Sequence, residues 1–144
     1  MVSIKNITTK DPFYSPMREL RNKVLLRPLG VPDYSWEMYD HRSWHFIAVE
    51  ENKLVGCAIL VPAEDNSHTL RLIQMAVDTD QQGKGIGRLL LEYMIEYARD
   101  RACSEINCHA RQYAVDFYKK LGFEVYGEPF EEVGIPHNHM KLVL

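Results

Sequence analysis

Cysteine is scarce in this chain: Cys57, Cys103 and Cys108 are the only three in 144 residues, and no Cys-x-x-Cys pair occurs among them. An odd, unpatterned set offers no disulfide framework and points to a reducing setting, so a cytoplasmic location is expected. Long apolar runs are lacking too. The longest, Val55 to Ala63, falls far short of the roughly 20 residues a membrane-spanning helix needs, so no membrane partner is expected. The start, Met1-Val2-Ser3-Ile4-Lys5, has neither the basic stretch nor the apolar core of a secretory signal. No long run of one charge is present, and the net charge of -3 provides no concentration of Lys and Arg for a phosphate backbone. A nucleic-acid partner is therefore not expected. No repeat, low-complexity tract or linker divides the chain.

What remains is an ordinary globular composition, 46% hydrophobic and 26% charged, at a length sufficient to bury a core as one domain over residues 1–144. Val2 to Thr8 reads as a first strand, broken by Asp11-Pro12. Phe13, Met17, Leu20, Val24 and Leu25 recur at helical spacing, and Pro28, Gly30 and Pro32 end that helix. Val31 to Ser43, with Tyr34, Trp36 and Tyr39, reads either as a short helix or as an ordered loop over a pocket. His45–Glu50 and Leu54–Val61 form a hairpin about Glu51-Asn52-Lys53, and His68–Val77 follows as the next strand. Connections this short require antiparallel pairing.

The character then changes. A glycine-rich segment opens an amphipathic helix carrying Ile86, Leu89, Leu90, Tyr93, Met94 and Tyr97. Glu105–Cys108 reads as a strand, which makes the middle of the chain a β-α-β crossover with parallel strands. A helix from about Gln112 to Leu121 stops at Gly122, and Phe123–Tyr126 and His139–Leu144 close the chain as strands. The fold class is α/β: a mixed, mainly antiparallel sheet flanked by helices.

The segment Gln82-Gly83-Lys84-Gly85-Ile86-Gly87 lies between a strand and that helix. Glycine lets a backbone come close to a ligand, and the free amides and dipole at a helix start suit a pyrophosphate. A dinucleotide fingerprint would need glycine where Arg88 stands, and a P-loop would need Ser or Thr where Gly85 follows Lys84. The pattern [Gln/Arg]-x-x-Gly-x-[Gly/Ala] is met by Gln82, Gly85 and Gly87.

That pattern resembles the coenzyme A pyrophosphate loop of the GNAT superfamily, and its surroundings strengthen the resemblance. Gln74-Met75-Ala76-Val77 is similar to the GNAT strand that pairs with pantetheine. Ala110-Arg111-Gln112-Tyr113-Ala114-Val115-Asp116-Phe117-Tyr118 and Gly122-Phe123 resemble the family's Ala-x-x-Phe-Tyr-x-x-x-Gly-Phe signature. Gly134-Ile135-Pro136-His137-Asn138-His139-Met140 is similar to the ending of small bacterial members of the ElaA branch, as are Arg27-Pro28-Leu29-Gly30 and His45.

The resemblance implies the GNAT fold and transfer of an acetyl group from acetyl-CoA to a primary amine of a small molecule or peptide. It leaves a homodimer open, since small members are often dimers. Backbone groups of Met75, Ala76 and Val77 would meet the pantetheine arm. Gln82, Gly83, Lys84, Gly85, Ile86, Gly87 and Arg88 would cradle the pyrophosphate. Tyr118 would be the general acid for the leaving thiolate, its alternative being packing beneath the cofactor. His45, His109, His137, Glu64 and Gln74 are candidates for the base, and His45 and His137 for contact with the acceptor. His109 and Arg111 stand where relatives often carry Asn. His137 and His139 share a strand face, but two imidazoles without a further ligand pattern make no metal site, so none is expected. The competing reading is a catalytically silent acyl-CoA-binding sensor or interaction module.

Overall fold

The computed structural model describes residues 1–144. Strands β1 (Ser3–Ile7), β2 (Trp44–Glu50), β3 (Lys53–Pro62), β4 (Thr69–Val77), β5 (Glu105–Arg111), β6 (Glu124–Glu132) and β7 (Ile135–Val143) form one sheet in the order β1-β2-β3-β4-β5-β7-β6. All neighbouring pairs are antiparallel except β4 and β5. The helices are α1 (Tyr14–Arg21), α2 (Ile86–Asp100) and α3 (Val115–Lys119). None is long and apolar enough to cross a membrane.

Period-two alternation assigns the two faces of the sheet. On β2, Phe46 and Ala48 join the core under α2, while Ile47 and Val49 join the smaller core under α1. Helix α2 buries Ile86, Leu90, Leu91, Met94, Ile95 and Ala98. Fully burying a large apolar side chain is worth about 1.5–3 kcal/mol, so this stripe holds the helix down. A close approach fixes where the helix begins. A Cβ on Gly56 of β3 would stand 3.1 Å from both Ile86 Cγ2 and Leu90 Cδ1. Glycine there lets the first turn of α2 lie directly against the sheet, next to the end of β4.

The helix expected from Phe13 to Leu26 is regular only over Tyr14–Arg21, followed by a π turn at Asn22–Leu26 and a 3-10 turn at Arg27–Leu29. Val31 to Ser43 proves to be the ordered loop, with left-handed Tyr34 and Trp36 and one 3-10 turn at Asp40–Arg42. The last two strands are longer than the sequence indicates. They meet at a two-residue turn, Val133-Gly134, with both φ angles positive (48 and 74°), the geometry that matches strand twist in tight hairpins. Pro129 lies in β6, an edge strand. A register shift between Tyr126 and Phe130 takes up Gly127.

Candidate active site

The sheet comes apart in the middle. Strands β4 and β5 pair only from Thr69↔Glu105 to Leu72↔Cys108, although β4 runs on to Val77 and β5 to Arg111. The cause lies in β4. Opposite the single residue Ala58 of β3, β4 carries both Gln74 and Met75, and Gln74 is left-handed at φ 53°. Such a bulge bends its strand and increases the local twist. The Gln74 side-chain amide donates to the Trp36 carbonyl, which ties the bulge to the loop above it. Past Leu72, the β4 backbone has no strand partner on the β5 side.

The split opens a cavity of about 580 Å³. Val24, Leu25, Trp36 and Met38 close it on the α1 face, and Cys108, Phe117 and Tyr118 on the α3 side. Met75, Ala76 and Val77 form its wall. Directly beyond Val77 lies a second hollow of about 370 Å³ at the start of α2, lined by Gln82, Gly83, Gly85, Ile86, Gly87 and Arg88 together with Phe117 and Lys120. Gly83 and Gly85 are left-handed (φ 81 and 80°), and a Cβ at either would meet nothing within 4 Å. Glycine is required there by the backbone, and the space in front of it is open. The fit to a pyrophosphate is good: free helix-start amides, an open cradle, and the cations Arg88 and Lys120 at its edge.

Residues 32–144 match the acetyltransferase (GNAT) domain. The chain belongs to the GNAT family. It is 24% identical to the Bacillus subtilis (strain 168) protein YyaT over 94% of this chain and 92% of that one. Among solved structures, Escherichia coli ElaA superposes with a TM-score of 0.87 at 19% identity, covering 99% of each chain. A GNAT acetyltransferase from Elizabethkingia anophelis with acetyl-CoA bound superposes with a TM-score of 0.76 at 21% identity, covering 99% of this chain and 98% of that one.

Of the cofactor-binding residues expected from sequence, all but Lys84 line one of the two hollows. Lys84 is absent from both hollows, since its ammonium turns back to Gln81 Oε1 at 3.2 Å. Gln82 donates to the Val77 carbonyl at 3.0 Å and so braces the end of β4. Arg88 reaches Glu92 at 3.4 Å. Tyr118 packs edge-on between Phe117 and Phe123, and its side chain makes no hydrogen bond within the protein. Burial pushes its phenol above the ordinary value. Cys108, buried beside it, is pushed up to about 12 by burial, so it is a packed thiol.

His45 does not reach the site, contrary to expectation. It is 1% exposed, lies beyond the lining of either hollow, and donates Nε2–H to the Asp40 carbonyl at 2.8 Å. The buried pair of Arg21 and Asp40 (2.7 Å), capped by the Tyr14 hydroxyl, occupies that region instead. Glu64 is an exposed surface carboxylate, also outside both hollows. His137 and His109 do line the larger cavity, with Gln74. They are joined by two groups that carry no local motif, Glu132 and Arg71. No three His, Cys, Asp or Glu side chains converge in a metal-holding group. Lys120 was equally invisible in sequence, because a lysine on a helix reads as a solvated side chain.

Proposed function

We propose that the chain transfers an acetyl group from acetyl-CoA to a primary amine by direct attack in a ternary complex. The carrying observation is the unpaired β4 backbone past Leu72, continuous with the open cradle at the start of α2. Met75, Ala76 and Val77 offer that edge to an amide-bearing arm, which would add to the sheet as a short strand. Gly83, Gly85, Ile86, Gly87, Arg88 and Lys120 receive the pyrophosphate, with Gln82 bracing the loop. Acetyl-CoA supplies the activated thioester carbonyl. Tyr118 holds its proton at the phenolic oxygen on the α3 side of the cavity, where a departing thiolate would be received. The larger cavity continues past Tyr118 toward His137, and that half is left for the amine.

The test is calorimetric titration with acetyl-CoA together with thiol release over a panel of polyamines, amino acids and basic peptides. Binding and amine-dependent release are expected. Binding without release under any acceptor would instead identify a silent acyl-CoA-binding module.

A further inference from the structure

The amine half of the cavity contains a carboxylate facing two imidazoles, and their protons do not add up. His137 is 4% exposed, and its Nδ1 lies 2.7 Å from the Ile135 carbonyl, which can only accept. The proton of the neutral ring is therefore on Nδ1, and Nε2 carries a lone pair. That lone pair faces Glu132 Oε2 at 3.6 Å, too far for a hydrogen bond and with no proton between the two acceptors.

The other carboxylate oxygen repeats the arrangement. Glu132 Oε1 is 3.0 Å from His109 Nδ1, and Arg71 Nη2 is 2.8 Å from the same nitrogen. Arginine only donates and carboxylate only accepts, so Nδ1 can serve one of them at a time. Without a proton it accepts from Arg71, and with one it donates to Glu132. Strand register builds this cluster. Cross-strand pairs put His109 opposite His139 and Phe130 opposite His137, all on the face away from α2, and Phe130 stacks on both His137 and His139.

The geometry points to Glu132 and His137 as the site that binds the acceptor as an ammonium and takes its proton. An ammonium has three donors and no acceptor, which complements two facing acceptors 3.6 Å apart. The step balances simply. One N–H bond of the ammonium breaks, its electron pair stays on nitrogen as the nucleophilic lone pair, and the proton moves to His137 Nε2. The imidazolium so formed closes the gap by donating to Glu132 Oε2. Glu132 is held at its other oxygen by His109, or released by it as Arg71 takes over. The acceptor class that follows is a cationic primary amine.

This inference rests on the acetyltransferase reading, and its test separates the two. Glu132 is 43% exposed at the end of a hairpin, so Glu132→Gln should fold as the parent does, which a thermal melt checks; His137→Gln is the second variant. Acetyl-CoA affinity should be unchanged in Glu132→Gln, whereas its loss in the parent itself would sink the underlying reading. With the best primary amine of the panel, kcat/KM at pH 7 should fall by about 10²- to 10⁴-fold in both variants. The deficit should shrink toward pH 10, where a simple alkylamine begins to lose its proton unaided. Other titratable or charged groups facing the pair are Arg71 on β4, His109 and Arg111 on β5, His139 on β7, and Tyr113 and Tyr118 at α3. Tyr118 shares the cavity with the pair, so Tyr118→Phe in the Glu132→Gln background serves as the control for its hydroxyl.

A readout independent of turnover is the His137 Nε2 resonance in a ¹⁵N spectrum. Millimolar n-butylamine should move it in the parent and leave it in place in Glu132→Gln. The assignment is overturned if kcat/KM stays within about threefold of the parent in both variants, or if the deficit is the same at every pH. It is also overturned if n-butylamine leaves the resonance unmoved in the parent, or if the parent binds acetyl-CoA but acetylates no amine.

Discussion

Tyr118 lines the cavity and has two separable parts in one side chain, a ring that packs and a hydroxyl with no partner in the protein. The ring meets Phe117 and Phe123 edge-on at 5.1 and 5.4 Å, so Tyr118→Phe leaves that packing whole. Burial holds the phenol above its usual value of about 10, and a thiol titrates near 8.5. The phenol therefore keeps its proton at every working pH. It is also the weaker acid of the two, so it steadies a departing sulfur by hydrogen bonding more than by complete transfer. That places the expected loss in Tyr118→Phe at about 10- to 10³-fold in kcat, the lower part of what a positioned acid supplies. Acetyl-CoA affinity should change little. Stopped-flow turnover at several pH values, with chemistry limiting, measures it. A Phe variant as fast as the parent would mean that the hydroxyl takes no part.

At the scale of the element, the site depends on two local departures from regular structure, and only one is visible as a motif. The glycine loop before α2 was legible because glycine is the one residue whose presence announces a left-handed backbone. The bulge in β4 was not, because it places Gln74 at φ 53° with no glycine to mark it. The β6–β7 hairpin was foreshortened in the sequence for a related reason. Gly127, Pro129 and Gly134 interrupt a regular strand pattern, whereas the sheet accommodates them in a bulge, an edge strand and a tight turn. Glu132 was lost with that hairpin. The glycine loop lends itself to a direct test. Val at position 85 would have to adopt φ near 80°, a strain of about 1–3 kcal/mol, and would place its branches in the open cradle. Gly87 has an ordinary φ, and a Cβ there would sit at normal contact, 3.6 Å from Phe117 Cζ. Gly85→Val should lower Tm and abolish acetyl-CoA binding. Gly87→Val should keep Tm near the parent's while affinity falls at least tenfold. Unchanged calorimetric affinity in both would show that the loop is merely a turn.

Across the whole molecule, the two cores divide the labour: the larger one under α2 and α3 includes Ile86 of the cradle, and the smaller one lies under α1, the helix that carries Arg21 of the buried Arg21–Asp40 pair. The mixed sheet and the crossover were legible from periodicity and connection length alone. The assignment of His45 to the site was not met, because alternation gives a histidine its face but not its distance from the split, and β2 lies two strands away from β4 in the sheet. Its actual place has a measurable consequence. His45 is buried with Nδ1 lacking any partner, and Arg21 of the Arg21–Asp40 pair is close enough to disfavour a second cation. Burial, the largest cause, holds its pKa below the ordinary 6.5; the hydrogen bond to Asp40 and the Asp40 charge oppose it, and Arg21 adds a smaller lowering. Between the folded and the unfolded pKa, the unfolded chain binds the extra proton, so stability rises with pH there. The stabilisation is complete above about pH 6.5 and is lost as the pH falls through the folded value. One such proton contributes a slope of at most about 1.4 kcal/mol per pH unit. His109, also depressed chiefly by burial, works in the same direction, whereas Asp78, lowered by its hydrogen bond from Lys23, acts only below the carboxylate range. Urea unfolding at pH 7.5, 6.5, 5.5 and 5.0 should therefore show a falling midpoint. In His45→Gln, whose amide can still donate to the Asp40 carbonyl, the fall should be shallower, leaving the part that belongs to His109. If parent and variant lose stability in parallel over that range, His45 is not the group that titrates.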